Sequence, residues 1–263
     1  MKRLIISVLI LICFAFATGQ IIIRPYADVA SSTLSTGLLA FWKMAETSGT
    51  RYDETANNED LSDNNSVSYA TGKVGNAADF EASNNEYLSK TDDAVLSFAA
   101  TEDFTLGFYL KPESVPSSGN TFYVLGKSGE YSSEYFVSIY NNFVNSVIEF
   151  TVWDGGANTS IVSSTTALSA GTWSCCIVWH NSMTDSIYVQ INDGNPIRAS
   201  TGGDAPIDSD GNFVVGGWLY VGTLYYPYDG LIDCIRVWRR CPVKTNAYSM
   251  ADSIYNGGSG WEP

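Results

Sequence analysis

The chain has 263 residues, 28 acidic and 14 basic, with one histidine and five cysteines. Its hydrophobic fraction of 45% against 16% charged residues describes a foldable globular chain and excludes a disordered acidic tail. A net charge of −14 without any basic run argues against nucleic acid or an anionic membrane surface as a partner, because both need a cationic footprint.

Met1–Arg3 is basic, the stretch from Leu4 to Phe16 is almost wholly apolar, and small residues follow. This is the layout of a secretory signal peptide, with cleavage expected after Ala17 or Gly19. The apolar run is shorter than the roughly 20 residues of a spanning helix, so no membrane span is expected after cleavage. Four cysteines then remain: Cys175, Cys176, Cys234 and Cys241. In an oxidising compartment one or two disulfides are expected, with three pairings open and buried free thiols as the alternative. A bridge between the neighbours Cys175 and Cys176 would be strained, which favours cross-strand pairing with Cys234.

Gln20 to Thr36 reads as an arm: Ile21-Ile22-Ile23 is a short strand, Pro25 breaks it, and Ser31-Ser32-Thr33 is linker. Beyond Gly37 the period becomes two. Phe104, Leu106, Phe108 and Leu110 alternate, as do Tyr135, Val137 and Ile139, and then Ile148, Phe150 and Val152. Ile187, Val189 and Ile191 run into Asn192-Asp193-Gly194, a tight-turn signal. Phe213–Val215, Trp218–Tyr220 and Ile235–Val237 continue the series. His180 is placed in a surface turn after Trp179. One helix is expected, from Lys244 to Tyr255, with Ala247, Met250, Ala251 and Ile254 on one face and Gly257-Gly258 as its stop. The fold class is therefore all-β, a two-sheet antiparallel sandwich with one short C-terminal helix.

Five stretches carry a family resemblance. They are Gly37–Met44 (GLLAFWKM), Gly72–Phe80 (GKVGNAADF), Asp103–Pro112 (DFTLGFYLKP), Leu168–Trp173 (LSAGTW) and Asp229–Trp238 (DGLIDCIRVW). In this order they resemble the laminin-G-like, concanavalin A-like jelly rolls, a family that includes the pentraxins. The resemblance implies one jelly-roll domain over 37–258, after a signal peptide over 1–19 and an arm over 20–36, with a tail over 259–263. A pentraxin-type bridge cannot form, since Gly107 and Ile177 occupy the positions resembling its cysteines.

The fold hosts lectins, adhesion modules and glycanases, so function must come from residues. Glucanases of this fold carry Glu-x-Asp-x-x-Glu on one strand, where alternate residues share a face. This chain has no such spacing, and Glu149 stands alone before Phe150. No catalysis is expected. The resemblance implies structural calcium, with Asp233 as a ligand beside a carbonyl of the early loop and Asp53 and Asn57 as partners. Trp218, Tyr220, Tyr225, Tyr226 and Tyr228 crowd one segment and suit sugar stacking or partner contacts, as does Trp153 in a second turn. Asn64 and Asn158 open N-glycosylation sequons. The expectation is a secreted or cell-surface, non-catalytic module that binds glycan or a surface protein. The alternatives are a structural subunit of an extracellular assembly or virion that self-assembles through residues 20–36, and a divergent glycan-cleaving enzyme.

Overall fold

The computed structural model describes residues 34–128, 133–156, 159–203, 205–242, 244–245, 248–249 and 254. Strands are numbered in chain order. The first sheet has eight: β1 (Leu38–Trp42), β3 (Ser68–Thr71), β4 (Asn76–Phe80), β6 (Phe104–Pro112), β11 (Ser174–Asn181), β12 (Ser186–Ile191), β13 (Ile197–Ser200) and β17 (Gly230–Trp238). Their order is β13-β12-β11-β6-β17-β4-β3, with β1 also paired to β17. The second sheet has seven: β2 (Ser62–Asn64), β5 (Tyr87–Lys90), β7 (Thr121–Ser128), β8 (Ser133–Asn141), β9 (Ser146–Trp153), β10 (Thr159–Ser163) and β14 (Asn212–Val215), in the order β10-β9-β8-β7-β14-β5-β2. Two hairpins complete the set: β15 (Trp218–Tyr220) with β16 (Thr223–Tyr225), and β18 (Lys244–Thr245) with β19 (Tyr248–Ser249). All pairings are antiparallel among the described residues, as the sequence predicts.

Alternate residues of each strand fill the space between the sheets. Leu106, Phe108 and Leu110 meet Val137, Ile139, Ile148 and Phe150 in the main core, and Phe98 stacks on Phe104 at 4.3 Å. Fully burying side chains of this size contributes about 1.5–3 kcal/mol each, which makes this layer the principal source of stability.

The alternation of β6 predicts one wet face, but Thr105, Gly107 and Tyr109 are buried too. A second apolar cluster covers that outer face: Leu34, Phe41, Tyr109, Cys175, Ile177, Trp179, Cys234, Trp238 and Ile254. The indole of Trp238 donates to the Leu34 carbonyl at 2.7 Å, so packing begins inside the segment read as arm. The remainder of the arm, the signal peptide and the tail lie outside the described residues. Gly107 and Ile177 stand directly opposite one another on β6 and β11.

Two sequence expectations need correction. Lys244–Thr245 and Tyr248–Ser249 pair as antiparallel strands, so the predicted helix does not start at Lys244. Thr, Asn, Tyr and Ser in this stretch are mediocre helix formers, and the apolar spacing alone did not decide the outcome. Ile254 is helical and buried, and the rest of 244–255 lies outside the described residues. His180 is the second case. It belongs to β11 and is 1% exposed, with Nδ1 2.7 Å from the Glu102 carbonyl.

One close approach in the second sheet has a measurable consequence. A Cβ at Gly126 on β7 would lie 2.5 Å from Cα and Cβ of Phe136 on β8, where backbone cannot give way easily. Gly126→Ala is expected to lower unfolding free energy by about 1–3 kcal/mol, read as a reduced urea midpoint at unchanged slope. A wild-type midpoint would contradict the close packing of β7 on β8.

Candidate functional site

The outer face of the second sheet carries the densest group of accessible aromatic rings. Tyr123 on β7, Ser138 on β8, Glu149 on β9 and Ser163 on β10 are cross-strand partners and form one row. Their neighbours Val137, Ile139, Ile148 and Phe150 point into the core, so this row faces outward. Ser138 is small and buried, which leaves Tyr123 and Glu149 on either side of it, two strand spacings or roughly 9–10 Å apart. Ser163 Oγ donates to Glu149 Oε1 at 2.9 Å. Burial pushes the Glu149 carboxyl above its ordinary value, and the Ser163 hydroxyl works against that rise.

The β15–β16 hairpin folds over the Tyr123 end of this row. Its turn residues Val221 and Gly222 have φ of 48° and 71°, the positive values that a tight hairpin needs at both central positions. The chain emerging from it is tied to the sheet where the Tyr123 amide donates to the Tyr226 carbonyl at 3.0 Å. The result is an aromatic platform. Tyr123 lies 5.8 Å from Trp218 and 5.4 Å from Tyr226, and Trp218 lies 6.2 Å from Tyr226 with planes only 9° apart. Phe136, outward on the neighbouring β8, packs beside Tyr123 at 4.9 Å.

Tyr226 is 48% and Tyr225 42% exposed, while Trp218, Tyr220 and Tyr123 are half-buried. The indole N–H of Trp218 is turned away from solvent and has no acceptor among the described residues, so this ring offers its plane and not its N–H. Burial, with smaller contributions from Tyr226 and Glu149, pushes the Tyr123 phenol up to about 12, so it stays a neutral donor near neutral pH.

Of the aromatic residues predicted from sequence, the structure thus brings together Trp218, Tyr220, Tyr225 and Tyr226. Tyr228 is not among them. It is fully buried, packs edge-on against Phe80 and donates to the Leu231 carbonyl. Trp153 lies on the same face as Glu149 but four residues further along β9, with its indole bonded to the Gly156 carbonyl at 2.9 Å. Sequence reasoning missed Tyr123, Phe136 and Glu149 as site residues. Each is the outward member of an alternating strand, a signal that marks a face without saying what gathers there.

The predicted metal ligands do not converge. Asp53 Oδ1 accepts from the Phe41 and Thr55 amides, and Oδ2 from Thr55 Oγ1 and the Glu59 amide. Asn57 donates to the Leu39 carbonyl. Asp233 Oδ2 accepts from the Lys73 and Val74 amides at 2.7 and 2.9 Å. Asp233 therefore takes N–H donors of the β3–β4 turn, where a calcium ion would require oxygen ligands. Among the described residues no three His, Cys, Asp or Glu side chains group as a metal site. The donor set does not fit calcium.

The four cysteines are free thiols. β11 and β17 flank β6 on opposite sides, so Cys175 and Cys234 lie two strand spacings or roughly 9–10 Å apart, beyond the reach of about 7 Å for a disulfide. Cys176 points the other way, into the main core, and the Cys241 thiol donates to the His180 carbonyl. Burial pushes Cys175 and Cys241 up to about 12, which keeps both as unreactive thiols. Asn64 donates its amide to Ser62 O and Ser89 Oγ, and Asn158 lies outside the described residues.

Residues 82–245, more than half of the chain, match the family described as the concanavalin A-like lectin/glucanases superfamily (Laminin_G_3). The chain belongs to this family. No curated protein matches it by sequence. Solved structures share its fold at low identity. The binding domain of Paraclostridial Mosquitocidal Protein 1 is 13% identical with a TM-score of 0.64, over 78% of this chain and 49% of that one. Domain 4 of AbnA, an extracellular GH43 arabinanase from Geobacillus stearothermophilus in complex with arabinotriose, is 18% identical at 0.57, over 77% and 92%. A botulinum neurotoxin type C structure, concerned with cell entry dependent on two ganglioside molecules, is 10% identical at 0.63, over 88% and 53%. The chain thus spans about half of each of these two toxin chains.

Asp233 gives a pH prediction. Burial pushes its carboxyl up to about 6, against two opposing backbone hydrogen bonds. The native state therefore holds this proton more tightly than the unfolded chain, and the stabilisation is complete below about pH 4 and lost as pH rises through 6. The drop attributable to this residue is about 3 kcal/mol. Asp233→Asn, compared with wild type in urea titrations from pH 4 to 7, is expected to flatten the curve. Parallel curves would contradict the assignment.

Proposed function

We propose that this protein is an exported, non-catalytic recognition module that binds glycan on the outer face of its seven-stranded sheet. The single observation that carries this reading is the Tyr123–Trp218–Tyr226 platform beside Glu149. A pyranose or furanose ring has an apolar C–H face and an equator of hydroxyls. Nearly parallel aromatic planes receive the first, while the Tyr123 phenol and a carboxylate oxygen of Glu149 receive the second. The apolar N-terminal segment over 1–19 supports export.

Structural likeness to domains that bind arabinotriose or gangliosides agrees with this use of the fold. Hydrolysis is left out of the proposal because it needs two carboxylates flanking the bond, and the row Tyr123, Ser138, Glu149, Ser163 holds one. Calcium is left out as well, since Asp53 and Asp233 are engaged by backbone amides.

A glycan array probed with the protein tests the reading. Binding is expected to fall tenfold or more, about 1.4 kcal/mol, with Trp218→Ala or Tyr226→Ala, and to persist with Trp153→Ala and in chelator. Thermal denaturation checks that the variants fold. An array silent for folded protein, or hits insensitive to both platform substitutions, would overturn the proposal.

A further inference from the structure

Resting on the platform reading, the geometry points to an uncharged glycan as the ligand, with Glu149 as its hydroxyl acceptor and as the residue that turns anionic sugars away. Glu149 Oε1 is fixed by Ser163, and its second oxygen has no hydrogen-bond partner among the described residues. That oxygen is therefore available to accept from a sugar hydroxyl beside the aromatic planes. A charged acceptor strengthens such a bond roughly twofold over a neutral one.

Among the described residues, the strands around the platform supply none of the cations that a sialic acid or uronate would need, and Lys90 on β5 of the same sheet is paired with Glu59 at 3.2 Å. Strands β8, β9, β10, β15 and β16 contain no lysine or arginine. β7 contains one, Lys127, which is fully buried and held by Glu134 Oε2 at 3.0 Å, Asp92 Oδ1 at 2.6 Å and Ser97 Oγ at 2.6 Å. Between Lys127 and Arg236 the sequence has eleven acidic residues and a single base, Arg198, which sits on β13 of the opposite sheet. An anionic sugar on the platform would lose water around its carboxylate and find a like charge in exchange. Discrimination of this kind works through repulsion as much as through attraction.

The inference differs from what fold likeness alone conveys, since gangliosides are sialylated glycolipids and one structural neighbour engages them. Here the local charge excludes that ligand chemistry. The exclusion is local, because Glu149 and Tyr123 flank Ser138 in one cross-strand row.

Isothermal titration of the purified protein with arabinotriose and lactose, and with sialyllactose and trigalacturonate, tests this. At least one neutral sugar is expected to bind, with both anionic sugars weaker by tenfold or more. Glu149→Gln is expected to shrink that gap to threefold or less, by weakening the neutral ligand and admitting the anionic ones. Anionic sugars that bind as tightly as neutral ones, with loss on Trp218→Ala, would overturn the charge inference and keep the platform. A gap unchanged in Glu149→Gln but abolished by 0.5 M salt would also overturn it, by assigning discrimination to the general surface charge. No binding by any of the four would overturn the inference together with the platform reading beneath it.

Discussion

The arrangement of this protein depends on a bulge in β17. All nine residues from Gly230 to Trp238 are buried, because this strand pairs with β6, β4 and β1 and is covered on both faces. The register against β6 slips between Asp233 and Arg236, where three residues of β17 span two of β6 and Cys234 takes a φ of 53°. The slip lets Ile232 and Ile235 both face the main core despite their odd spacing, while Asp233, still paired with Tyr109, takes the Lys73 and Val74 amides with its side chain. Beyond it Arg236 lies 4.1 Å over the Phe41 ring and Trp238 joins the outer cluster. A polar anchor for an early loop is thereby built into the most buried strand.

That inner rigidity matters for the opposite sheet. Among the described residues, the second sheet has one face packed against the first sheet and one turned outward. The outward face is shaped by small residues, Gly126 and Ser138, set among large ones, Tyr123, Phe136 and Glu149. The β15–β16 hairpin segment then adds Trp218 and Tyr226, tied to β7 at its two ends by the Gly216 amide on the Val124 carbonyl and the Tyr123 amide on the Tyr226 carbonyl. The proposed binding chemistry is in this way concentrated on a strand row and one hairpin, the kind of support that holds a site in register.

Much of this was legible in the sequence. The alternations at 104–110, 135–139, 148–152 and 187–191 marked true strands, and Trp218–Tyr220 was legible as a strand while its pairing with Thr223–Tyr225 was not. Tyr228 belongs to the same aromatic run and yet is core, because it follows the return of the chain toward Gly230 and meets Phe80. Pairing partners were not legible. That Tyr123 and Glu149 share a row depends on which strands adjoin and in what register, and neither is written in local periodicity. The acids told a similar story: Asp53 and Asp233 looked like cation ligands, while both oxygens of Asp53 and Oδ2 of Asp233 serve backbone amides that only the fold brings near. The thiols misled for the same reason, since strand order decides which cysteines could ever meet.

The central claim is that a sugar rests on the Tyr123–Trp218–Tyr226 planes with a hydroxyl on Glu149. A crystal structure of the protein with a bound neutral oligosaccharide tests it most directly. The account predicts a sugar C–H face over Trp218 or Tyr226 and a hydroxyl within hydrogen-bond distance of Glu149 Oε2. A sugar seated instead at Trp153, or on the outer face of the eight-stranded sheet, would contradict it.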